Sequence, residues 1–225
     1  MLFALIFVHV VLFAYALGGD LGVHLAARFA VRSDLPLAER IRFFRMLLLV
    51  DLGPATAVAL FLPTGLEIAA RLGLSTLPQV WLWLIWAAAA AWVVAIWNLH
   101  LERARGGRPA TGPKPVWARA EAVLRYLMLG AAAAIGVASA AGAGPLVEPW
   151  LGLKTVLYAL CLVFVSLLRR ELDSWMTALE TLRGFGGERE GNSLMLRQHR
   201  AGRWYARSLW LLLAAAAYLG VAGPG

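Results

Sequence analysis

Residues 79–101 read QVWLWLIWAAAAAWVVAIWNLHL, without a single Asp, Glu, Lys or Arg. A helix needs about 20 apolar residues to cross a hydrocarbon core of ~30 Å, so this stretch is long enough to span a bilayer. It is rich in Ala and Leu and shows no alternation of period two, which favours a helix over a barrel strand. In lipid the choice is forced further, because every backbone N–H and C=O must find its partner within the segment.

The same reading extends to five more blocks, giving six in all: roughly 2–27, 43–66, 79–101, 119–142, 150–168 and 204–222. The expected fold is an all-α, polytopic membrane helical bundle, one transmembrane domain over residues 1–225. Composition agrees. The chain has 225 residues, 61% of them hydrophobic and only 15% charged, and its mean hydropathy is +0.71. Soluble domains carry about 25% charged residues. The first block has no positive charge ahead of it, as a signal peptide would require, and is expected to be a retained helix.

The formal net charge of +8 does not point to nucleic acid, because the arginines lie between the apolar blocks. Arg28, Arg32, Arg40, Arg42 and Arg45 follow the first block. Arg103, Arg105, Arg108, Lys114 and Arg119 follow the third. Arg169, Arg170, Arg183, Arg189, Arg197, Arg200 and Arg203 follow the fifth. The other two links hold Arg71 alone, beside Glu67 and Glu148. The positive-inside bias makes the basic links cytoplasmic and both termini extracytoplasmic, in a bacterial-type inner (plasma) membrane. Trp81, Trp83 and Trp150 then fall at outer ends, and Trp97, Trp117, Trp175 and Trp204 near inner ends, as aromatic belts do.

Pro54 and Pro63 are expected to kink the second helix. The lone Cys161 excludes an internal disulfide and reads as a packing residue. The link 169–203 places Leu172, Trp175, Met176, Leu179 and Leu182 on one helical face. That pattern suits a cytoplasmic extension of the fifth helix, an amphipathic helix on the membrane surface, or a solvated link with a greasy side. Residues 184–192 read as a flexible stretch. Gly18-Gly19 and Gly106-Gly107 are too bare for a phosphate loop.

Ionisable residues inside a membrane are costly and therefore mark candidate sites. His9 and Asp20 lie 11 residues apart, close to three turns, so they share a face with an axial separation of ~16 Å. His24 continues the stripe. Topology sets Lys154 at the depth of His9, and Asp51 and His100 near Asp20 and His24. Two polar layers result. The outer layer of His9 and Lys154 suits a haem, with imidazole as axial ligand and the lysine binding a propionate or the iron. Alternatively, His9 hydrogen-bonds across the bundle and Lys154 snorkels to the surface. The inner layer of Asp20, His24, Asp51 and His100 suits a metal ion or protons. Equally, its carboxylates pair with Arg28, Arg45 or Arg125. His199, in a basic link, reads as solvated.

Two motifs carry a family resemblance: His9 followed ten residues later by Gly19, and Trp150-Leu151-x-x-Lys154 opening a later helix. Together they resemble the membrane superfamily that includes HemJ-type protoporphyrinogen oxidases and CopD-like copper-resistance proteins. The resemblance implies b-type haem bound through His9 and Lys154. It also implies redox chemistry, either on a hydrophobic porphyrin-like substrate arriving from lipid or by electron transfer to a membrane partner. A metal-ion or proton transporter built on the inner layer remains an alternative. So does a structural subunit of a larger membrane complex, and a homo-oligomer stays open.

Overall fold

A computed structural model describes residues 1–105, 115–184 and 187–223. Arg108, Lys114, Gly106, Gly107 and the 185–186 part of the 184–192 stretch lie outside the described residues. The helices are α1 (Leu2–Ala30), α2 (Leu37–Val50), α3 (Leu52–Arg71), α4 (Gln79–Ala104), α5 (Val116–Ala140), α6 (Pro149–Arg183) and α7 (Glu188–Ala222). The fold is all-α. Counting α2 and α3 as one span, 6 helices are long and apolar enough to cross a membrane. Phe3, Phe7, Val10, Leu211, Tyr218 and Val221 are exposed along α1 and α7. In water so extensive an apolar surface would aggregate; in a bilayer it faces hydrocarbon. The chain is a multi-pass membrane protein.

Consecutive spans pack against one another, and α1 closes the bundle by lying on α3 and meeting α7. Small residues set the closest approaches, as expected where apolar burial gives helices no advantage over lipid. A Cβ on Gly19 would lie 2.7 Å from Cγ of Pro54, so the glycine of the first motif lets α1 lie directly on α3. A Cβ on Gly152 would lie 2.4 Å from the Ala140 backbone nitrogen, so α6 touches the main chain of α5.

The two faces of the bundle are finished differently. At the face away from the arginines, α3 and α5 both end in a left-handed glycine, Gly73 at φ 73° and Gly142 at φ 76°. Leu74 N–H donates to Ala69 O at 2.8 Å and Ala143 N–H to Ala138 O at 2.9 Å, the Schellman closure that satisfies the last carbonyls. The loops that follow are stitched by Thr76 N–H to Pro145 O, 2.8 Å, and Val147 N–H to Leu74 O, 3.0 Å.

At the basic face the helices run on beyond the apolar blocks. The expected link 169–203 is a helical hairpin made by the end of α6 and the start of α7, so residues 188–192 are helix rather than a flexible stretch. Of the open readings for this link, helical extension is the one observed. Its greasy face is covered: Trp175, Leu179, Leu182 and Met195 pack with Ala26, Ala30, Phe44, Leu47 and Leu48 from α1 and α2. Trp175 is thus a core residue, 4% exposed, and not part of an aromatic belt. Arg40, which reads as a loop charge, is buried. Its guanidinium donates to Ala30 O (2.9 Å), Asn192 Oδ1 (2.7 Å) and Met195 Sδ (3.1 Å), tying α1, α2 and α7 together.

The second span begins at Leu37, ahead of the expected 43, and breaks at Asp51. Asp51 N–H still bonds Leu47 O and Ala55 N–H bonds Asp51 O, both 2.9 Å. The bond missing between them is the one Pro54 cannot donate to Val50 O. Pro63 leaves α3 running on as one helix to Arg71.

Candidate functional site

The inner layer is resolved by α2–α6 packing. The break at Asp51 turns its carboxylate into the bundle, where Arg169 Nη1 donates to Asp51 Oδ2 at 2.6 Å. His100 Nε2 lies 2.8 Å from the same oxygen, and His100 Nδ1 lies 2.8 Å from Ile96 O. Arg169 Nη1 and His100 Nε2 are 2.9 Å apart because both converge on that one oxygen. Beside this group, Arg125 Nε donates to Glu121 Oε1 at 2.9 Å and Arg125 also bonds Ser166 Oγ. Trp92 Nε1 reaches Glu121 at 3.4 Å. Charge pairing therefore governs Asp51, as one of the sequence readings had it, but the partner is Arg169 rather than Arg28, Arg45 or Arg125.

Asp20 and His24 belong to a separate group. Trp210 Nε1 of α7 donates to Asp20 Oδ2 at 2.7 Å, and Asp20 has no ion-pair partner within 4 Å among the described residues. The His24 ring lies 5.8 Å from His199 and 5.7 Å from Trp210, centroid to centroid. His199 also faces Trp175 at 6.1 Å, so it is not a solvated loop residue. The set Asp20, His24, Asp51, His100 thus does not converge on one point. Among the described residues no three His, Cys, Asp or Glu side chains gather as a metal ligand set.

A cavity of about 110 Å³ lies in this half of the bundle. Asp20, Asp51, Arg169, His24, His199 and Glu171 are among the residues that line it, with Arg203 beside them. His9 and Lys154 are not on its wall.

The outer layer is simpler. His9 Nδ1 is 2.7 Å from Thr64 Oγ1, and the Thr64 hydroxyl lies 2.7 Å from Leu60 O. A carbonyl only accepts, so the hydroxyl proton goes to Leu60 and Thr64 must accept from His9 Nδ1–H. The imidazole is thereby held as the tautomer whose Nε2 carries a lone pair. Nε2 has no hydrogen-bond partner among the described residues. The edge of the ring meets Phe61, 5.4 Å between centroids, and Phe61 in turn meets Tyr158 of α6 at 6.5 Å. Tyr158 Oη donates to Val58 O at 2.8 Å and locks that floor in place.

Among the described residues no hydrogen bond joins Lys154 to His9, whose side-chain partner is Thr64. Lys154 Nζ leans on α7, where a Cβ on Gly220 would lie 2.6 Å away. Among the described residues it makes no hydrogen bond or ion pair. Thr64 and Trp210 are the partners sequence reasoning missed; neither is charged, so neither stands out in an apolar run. No family model matches the chain, and comparison with curated proteins and with solved structures gives no significant match either.

Proposed function

We propose that this chain is a membrane-embedded redox protein that binds b-type haem in the half of the bundle away from the arginines, where His9 Nε2 would ligate the iron. One observation carries the reading: Thr64 accepts from His9 Nδ1–H and leaves the Nε2 lone pair free. Metal-bound histidines nearly always donate their other N–H to a fixed acceptor, which sets the tautomer and raises ligand basicity. Here the acceptor is itself anchored to the α3 backbone. Lys154 offers an unpaired cation for a propionate, and its amine is the second ligand candidate. Phe61 and Tyr158 supply an apolar floor against which a macrocycle packs.

The haem would supply the one-electron chemistry; the chain supplies orientation, an apolar surround and access from lipid. The substrate class implied by the resemblance is a porphyrin-like molecule, with electron transfer to a membrane partner as the other use. With the arginine-rich face cytoplasmic, this site lies toward the outer surface of a bacterial-type plasma membrane.

The test is a haemin titration of the purified chain in lipid nanodiscs, followed by the Soret band. Saturable binding that disappears in His9→Ala supports the reading. Binding that survives His9→Ala unchanged refutes it. The cavity beneath, with Asp20 and His24 on its wall, favours a second reading in which protons or cations pass through the inner layer. Asp51 and His100 take no part in that reading, since Arg169 holds them.

A further inference from the structure

The wall of the cavity at the basic half of the bundle carries four carboxylates, Asp20, Asp51, Glu121 and Glu171. Two have an opposite charge in contact: Asp51 has Arg169, and Glu121 has Arg125. Among the described residues the other two do not. Asp20 is 9% exposed and receives only a neutral indole N–H, through Oδ2. Glu171 is partly exposed, but one of its oxygens, Oε2, is buried and finds no hydrogen-bond partner among the described residues. Both line the same cavity. A carboxylate taken out of water without a cation, as Asp20 is, is costly, and the cost is recovered when a cation arrives.

The remaining wall suits an organic cation better than a bare ion. Trp175, His24 and His199 on the wall form a run of ring contacts between α1, α6 and α7, and Trp210, which is not on the wall, meets His24. Aromatic faces attract alkylammonium groups. Ala16, Val58, Leu209 and Leu213 make part of the wall apolar. Metal ions lack the converging ligand set they need here. The two arginines on the wall do not fill the role. Arg169 is spent on Asp51, and Arg203, although it lines the cavity, is an exposed residue. Access is at hand, because α1 and α7 meet only over a short stretch around Trp210 and the two histidines.

We propose that this cavity binds a lipophilic organic cation, an amine or ammonium of modest size, with its charge against Asp20 and Glu171 and its apolar part toward Leu209 and Leu213. The site is independent of the haem reading, since neither His9 nor Lys154 lines it.

The experiment uses the full chain in nanodiscs of neutral lipid, titrated with benzyltrimethylammonium and, separately, with its uncharged carbon isostere neopentylbenzene. Tryptophan fluorescence provides the signal, since Trp92 and Trp175 line the cavity. The expected result is saturable quenching by the cation alone, weakened at least tenfold in Asp20→Asn and again in Glu171→Gln. Glu171 is partly exposed, so Glu171→Gln keeps the test decisive should Asp20→Asn fail to fold. Equal response to the neutral isostere, or cation binding unaltered in Glu171→Gln, overturns the proposal.

Discussion

Replacing Arg169 by methionine is expected to be among the most destabilising single changes in the chain. The side chain is nearly enclosed, 10% exposed, and Asp51 opposite is 12% exposed. Methionine roughly preserves the volume, so the loss is electrostatic: the Asp51 carboxylate keeps only His100 and remains in a low-dielectric interior. Breaking a buried pair from one side costs about 3–5 kcal/mol, which is roughly a 150- to 5,000-fold change in the unfolding constant at about 1.4 kcal/mol per decade. Removing both charges is a different matter, since an ion pair replaced by matched neutral groups is often neutral in stability. Asp51→Asn combined with Arg169→Met is therefore expected to recover most of the loss. The assay is SDS-driven unfolding in mixed micelles, followed by tryptophan fluorescence and helical circular dichroism, as a double-mutant cycle. A cost for Arg169→Met below about 1 kcal/mol, the range of an exposed pair, would refute the account of this cluster. So would additive effects of the two substitutions.

Other consequences are cheaper to check. Thr64→Val keeps the shape of the side chain but removes the acceptor for His9 Nδ1–H, and haemin affinity is expected to fall about 10- to 100-fold; unchanged affinity would show that Thr64 does not orient the ligand. In α5 and α6, two glycine substitutions should act with opposite sign. Gly152→Ala drives a Cβ to 2.4 Å from the Ala140 nitrogen and should cost about 1–3 kcal/mol, whereas Gly130→Ala meets nothing within 4 Å and should stabilise by up to about 1 kcal/mol. On a Cys161→Ala background, Thr76→Cys is expected to react with a membrane-impermeant maleimide on intact cells, and Ser33→Cys only after the membrane is opened; the reverse pattern would invert the orientation.

How much was legible follows from what each residue advertises. The six spans were plain because apolar runs of this length have one home. The start of α2 at Leu37 was hidden by Glu39, Arg40, Arg42 and Arg45, which depress hydropathy although Arg40 and Phe44 are buried. The hairpin of α6 and α7 was half visible: the face from Leu172 to Leu182 gave the helix, but what covers it comes from α1 and α2, far away in sequence. Arg169 looked like the boundary of an apolar block, and a boundary charge is easily counted with the loop; only the break at Asp51 brings its partner across. His199 was misjudged for a related reason. Its place depends on α7 continuing as a helix and lying beside α1, and no local pattern encodes that neighbour. For Lys154, no local pattern encodes that its amine leans toward Gly220 of α7.

The central claim is that His9 is held ready as an iron ligand. Its most direct test is the haem content of the chain purified from cells supplied with a haem precursor, measured as the pyridine haemochrome per mole of protein. The account predicts b-type haem in the wild-type chain and its loss in His9→Ala, with the helical spectrum of the variant intact. Haem-free protein under these conditions, or equal haem in the folded variant, would contradict it.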